Sequence, residues 1–81
     1  MNNSKKVYAV SQYTDDENCV IHGIFEKYES AVQYATQLSE EMHLELDEEF
    51  FETYGYGVLK VLKEWWNLDG DSIRVEEYPL N

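Results

Sequence analysis

Apolar and polar residues alternate near both ends of this chain and recur at helical spacing in its middle. From Lys6 to Tyr13, KVYAVSQY places Val7, Ala9, Ser11 and Tyr13 on one side and Tyr8, Val10 and Gln12 on the other. Its β-branched and aromatic residues favour a strand, with Tyr8 and Val10 as the core face. Thr14-Asp15-Asp16-Glu17-Asn18 is a polar connection of hairpin length. CVIHGIF, from Cys19 to Phe25, then resumes strand character, which predicts an antiparallel hairpin. Gly23 marks a bulge or a close approach by another element.

The period changes after Tyr28. Ala31, Ala35, Leu38 and Met42 recur at steps of four, three and four, which puts them on one face of a helix that Val32 and Tyr34 widen. Ser30, or a residue just before it, can cap that helix, which the pattern carries to Met42 or Leu44. Asp47 can cap a second helical segment containing Phe50, Phe51 and Tyr54, and Gly55-Tyr56-Gly57 then predicts a turn. Val58, Leu59, Val61, Leu62, Trp65 and Trp66 follow at steps of three and four, with Lys60, Lys63 and Glu64 on the other side. This spacing fits a short helix better than a strand, with a strand from Val58 to Leu62 as the alternative.

Asn67-Leu68-Asp69-Gly70-Asp71 is the strongest turn signal, because Asp-Gly tolerates positive φ. SIRVEEY, from Ser72 to Tyr78, alternates again, and Pro79 cannot donate a ladder hydrogen bond, which predicts a last strand at or near a sheet edge. The order is strand, strand, helix, helical insert, strand. It predicts an α+β fold: a three-stranded antiparallel sheet in ββα(α)β order with helices packed on one face. Residues 1–81 form one domain, with 1–5 as a loose polar arm and 45–68 as the helical insert.

Length and composition fit that picture. A chain of 81 residues buries only roughly 60–65% of its unfolded surface. With 43% apolar and 15% aromatic residues it still has enough to pack a core. No apolar run is long enough for a transmembrane helix, and Met1-Asn2-Asn3-Ser4-Lys5-Lys6 lacks the apolar stretch of a signal peptide, so a cytoplasmic location is expected. A single cysteine, Cys19, agrees with a reducing compartment. Seventeen Asp and Glu against six Lys and Arg give a net charge of -11. That field repels nucleic acid and anionic membrane and draws basic surfaces in, so direct nucleic-acid and membrane binding are disfavoured.

The chemistry of enzymes and metal sites finds little support. Cys19 and His22 point to opposite faces of a strand and have no second pair to complete four ligands. His43 sits among glutamates as a solvated helix residue. No Ser, Cys or Lys has the spacing of an activated nucleophile, and Gly55-Tyr56-Gly57 lacks the rest of either nucleotide fingerprint, so no cofactor is expected. Asp69-Gly70-Asp71 with Glu76 and Glu77 lacks calcium-loop spacing and reads as a β-turn. An enzyme is not expected.

The acidic run is the remaining candidate. Glu40, Glu41, Glu45, Asp47, Glu48, Glu49 and Glu52 occur with no Lys or Arg among them. Such a run ordinarily solvates a face. Here the net charge exceeds the roughly 2–8 units that keep a small domain soluble, and crowded like charges oppose folding. Phe51, Tyr54 and Tyr56 would give the surface apolar anchors. Trp65 and Trp66 are adjacent and cannot share one helix face; one is core, and a partner or a dimer contact can cover the other.

KVYAVSQY, then CVIHGIFEKYESAVQYATQL, then the closing IRVEEYPLN resemble the small proteins of bacteriophages and prophages. The shared features are Gly23-Ile24-Phe25 ending a strand pair, Ala31-Val32-Gln33-Tyr34-Ala35 opening a helix, and Glu76-Glu77-Tyr78 in a last strand. The resemblance covers about half the chain and brings no catalytic residues. The acidity is similar to that of phage anti-defence inhibitors, including anti-CRISPR proteins and DNA mimics, whose carboxylates stand in for backbone phosphates. It implies a non-enzymatic inhibitor or regulator that occludes a basic nucleic-acid-binding surface of a host protein in the bacterial cytoplasm. Its partner-binding residues would be the seven acids with Phe51, Tyr54, Tyr56 and Trp66. The alternative is a structural or accessory domain that self-associates, as a homodimer, through aromatics around Trp66, its acidity serving only solubility.

Overall fold

The structure, a computed structural model, describes residues 5–15, 18–48, 50 and 60–80. Among the described residues, five strands and one helix follow in the order β1 (Lys5–Tyr13), β2 (Cys19–Phe25), α1 (Tyr28–Glu41), β3 (Glu45–Leu46), β4 (Lys60–Trp66) and β5 (Ser72–Leu80). The strands form one antiparallel sheet in the order β2-β1-β5-β4-β3. The class is α+β, but the expected three-stranded sheet is corrected to five strands, and the described residues of the expected helical insert contribute β3 and β4.

The reason β4 was read as helical lies in its register. Val61 pairs with Glu76 and Lys63 with Val75, so Leu62 is an extra residue in the ladder. That bulge breaks the two-residue alternation by which a strand is recognised. Beyond it Trp65 pairs with Ile73 and faces the core, whereas Trp66 pairs with Ser72 on the other face. Asp47 N–H donates to the Glu64 carbonyl at 2.9 Å and the Asp47 carbonyl accepts from Phe50 N–H at 3.2 Å; the rest of the helical segment that Asp47 was expected to cap lies outside the described residues. The expected turn at Gly55-Tyr56-Gly57 lies outside the described residues, as does most of the expected arm.

The last strand is also corrected in place. β5 is the central strand of the sheet, between β1 and β4. Among the described residues the β4 ladder reaches Glu77, and Pro79 lies opposite Lys6 of β1.

The β1–β2 hairpin forms as the alternation predicts, with a bulge between the Val10–Gly23 and Ser11–Ile21 pairs. The helix starts at Tyr28, behind Lys27, which makes no side-chain capping bond, so Ser30 is not its cap. Its C-terminus has a defined closure. His43 adopts a left-handed φ of 61°, its N–H donates to the Glu40 carbonyl, and Leu44 N–H donates to the Ser39 carbonyl at 2.8 Å. These are the two bonds of a Schellman motif, which satisfies the last helical carbonyls and turns the chain into β3.

One side of the sheet packs on the helix. Val10, Ile73, Val75 and Trp65 meet Ala31, Ala35 and Leu44 there, with Tyr8, Phe25, Tyr28, Val32, Leu38 and Met42 around them. The helix-free side carries Ala9, Ser11, Tyr13, Arg74, Glu76, Val61, Glu64 and Trp66 by register. Among the described residues, no helix is long and apolar enough to cross a membrane.

Candidate partner-binding surface

The helix end delivers the acidic run to the β3 edge of the sheet. Glu45 pairs with Trp66 and Leu46 with Trp65, which sets the first acids of the run beside the β4–β5 turn. That turn is held by Asn67, whose Oδ1 accepts from the N–H groups of Asp69 at 2.9 Å and Asp71 at 3.1 Å. Gly70 has φ 93°, and a Cβ there would lie 2.9 Å from Asp15 Cβ, so both conformation and space require glycine. The turn pushes Leu68 out to 93% exposure, beside Trp66 at 42%.

Glu45, Leu46, Asp47, Glu48, Trp66, Asn67 and Leu68 line an open cleft of about 770 Å³. Three acids therefore surround three exposed or half-exposed apolar side chains, Leu46, Trp66 and Leu68. Leu46, Asp47 and Glu48 also border a second hollow of about 400 Å³, which Tyr28, Phe50, Leu62 and Lys63 complete. An apolar anchor ringed by charges can attract a basic surface through its field and hold it by desolvating the aromatic.

Glu40 and Glu41 are exposed in the last turn of α1, which has no basic residue. Carboxylates there oppose the negative end of the helix dipole and cost stability rather than adding it. Of the sequence-derived site, then, Glu45, Asp47, Glu48 and Trp66 share one cleft, and Glu40 and Glu41 precede it across a three-residue turn. Glu49, Phe51, Glu52, Tyr54 and Tyr56 lie outside the described residues. Leu46 and Leu68 were missed. The available signal was Leu68 itself, an isolated large apolar residue within an otherwise polar turn.

A second cluster, on the helix-free face, has a different character. The Glu76 carboxylate is 2% exposed and accepts from Ser11 Oγ at 2.6 Å, Tyr13 Oη at 2.5 Å and Tyr78 Oη at 3.2 Å. Arg74 lies 4.7 Å from the Tyr13 ring centroid and donates from Nε to Glu64 at 2.8 Å. Burial first, and the Glu76 charge second, push the Tyr78 hydroxyl up to about 12. The same causes raise Tyr13 well above the ordinary tyrosine range, with a further contribution from Cys19. Raised hydroxyls donate without ionising, so this cluster satisfies a buried acid. Glu77, on the opposite face, lies 3.8 Å from Lys6 Nζ. Among the described residues, no group of three or more His, Cys, Asp or Glu side chains is placed to hold a metal.

Comparison of the chain with protein-family models, with curated proteins and with solved structures finds no match.

Proposed function

We propose that this chain is a non-enzymatic acidic protein-binding module, an inhibitor or regulator of phage type that occludes a basic nucleic-acid-binding surface of a host protein in the bacterial cytoplasm. The supporting observation is the cleft in which Glu45, Asp47 and Glu48 surround Trp66, Leu46 and Leu68. Charge alone would solvate the surface; the exposed indole within the charge gives a partner something to bury. The position of Glu40 and Glu41 adds support, since the helix would be more stable with cations there.

The test separates binding from folding. The immobilised protein is exposed to a bacterial lysate with and without nuclease and eluted along a salt gradient. A nucleic-acid-binding protein should be retained, resist nuclease treatment and elute at moderate salt. Changing Glu41, Glu45 and Glu48 together to Lys should abolish retention while leaving the fold as stable or more so, by about 0.3–1 kcal/mol from the helix end. Retention that survives these reversals would sink the proposal.

A further inference from the structure

The sheet has two edges that differ in length and charge. β3 is two residues long, contains Glu45 and runs on into Asp47 and Glu48. Shortness and charge are how an edge strand avoids pairing with another chain. β2 is seven residues long and holds no Asp, Glu, Lys, Arg or Pro. It ends the strand order, so among the described residues only one of its sides is paired within the sheet. Five of its seven residues are exposed, with Ile21 at 51% and Ile24 at 63%.

The bulge gives this edge a self-complementary pattern. Ile21 lies opposite Ser11 and Ile24 opposite Ala9, so both isoleucines stand on the helix-free face although they are three positions apart. His22 is the extra residue and sits on the helix side, where Nε2 hydrogen-bonds Gln12 Oε1 at 2.6 Å. Val20, opposite Gln12, and Phe25, opposite Tyr8, are on that side as well.

We infer that β2 pairs antiparallel with the same strand of a second copy, about a two-fold axis between His22 and Gly23, to form one sheet of twice the width. In that register Ile21 faces Ile24 of the second copy and Val20 faces its Phe25, so every directly opposed pair shares a face. An axis through His22 would instead set Val20 opposite Ile24, on the wrong face. Charge selects the same occupant. A basic partner drawn by the field of -11 finds no carboxylate on β2, whereas two copies repel everywhere except along such a neutral strip. The contact is isologous and leaves both acidic clefts free at the far edges.

Sedimentation equilibrium over a wide concentration range tests this. The expected result is a monomer–dimer equilibrium that strengthens with added salt, because screening relieves repulsion between the copies; binding at the acidic cleft should weaken with salt. Ile24→Lys, at an exposed position, should raise the dimer dissociation constant at least about 100-fold with an unchanged circular dichroism spectrum. In a Cys19→Ser background, Ile21→Cys with Ile24→Cys should oxidise to a covalent dimer through crossed 21–24 bridges. A monomer at every concentration would overturn the inference and give the bulge the opposite role, that of turning the edge away from partners. A dimer that resists Ile24→Lys but dissociates on Trp66→Ser would overturn it too, by moving the contact to the cleft.

Discussion

Glu76 is the residue on which the helix-free face is built. An acid this deeply buried persists because three hydroxyls converge on it; among the described residues, no buried side-chain N or O lacks a partner. The hydroxyls in turn carry a pH dependence. Tyr13 and Tyr78 hold their protons in the folded state to higher pH than the ordinary value near 10, so the unfolded chain releases them first. The contribution of Tyr78 to stability is complete below about pH 10 and is lost as pH rises through about 12, whereas that of Tyr13 persists to higher pH. Phenolate absorbance at about 295 nm should show Tyr13 and Tyr78 ionising late, lagging the ordinary value near 10, with urea midpoints falling above that pH. Tyr78→Phe should remove one of the lagging groups and flatten that fall. None of this was legible in SIRVEEY, where the alternation shows that Glu76 and Glu77 face opposite ways but not what either meets. The partners, Ser11 and Tyr13, stand 65 and 63 positions away.

At the level of elements, regular alternation was readable and irregular alternation was not. β1 and α1 declare themselves because each keeps its period over most of its length, and β2 because it is short, apolar and follows a polar connection of hairpin length. β4 hides because Leu62 interrupts its ladder, leaving Val61 and Trp65 four apart, as on a helix, although they lie on opposite faces of a sheet. β3 is two residues within an acidic run and has no pattern of its own. The acids of the cleft were visible as composition; Trp66 was visible as the second of an adjacent pair; their meeting required the register of β3 on β4. The helix end carries a prediction at this scale. His43 occupies the left-handed position usually given to glycine, where a Cβ is penalised. His43→Gly should stabilise the fold by about 0.5–1 kcal/mol in denaturant titrations, after the greater chain entropy of glycine is set against the relieved strain.

For the molecule as a whole, the arrangement of the sheet matters more than any single contact. The central pairing joins opposite ends of the chain, Lys5 to Leu80 and Tyr13 to Ser72. Local segments can start early, since the β1–β2 and β4–β5 hairpins each close a short loop. Neither completes a two-sided core alone, and joining them requires closing a loop of about sixty residues. Refolding from denaturant should therefore fall in the millisecond-to-second range of non-local β topologies rather than the microseconds of helical bundles, as stopped-flow fluorescence of the two tryptophans would report. During synthesis, the first strand made must wait for the last. Until Ser72–Leu80 leaves the ribosome, β1 exposes the side that β5 will occupy, and the nascent chain is open to mispairing and proteolysis while everything between the two strands is made.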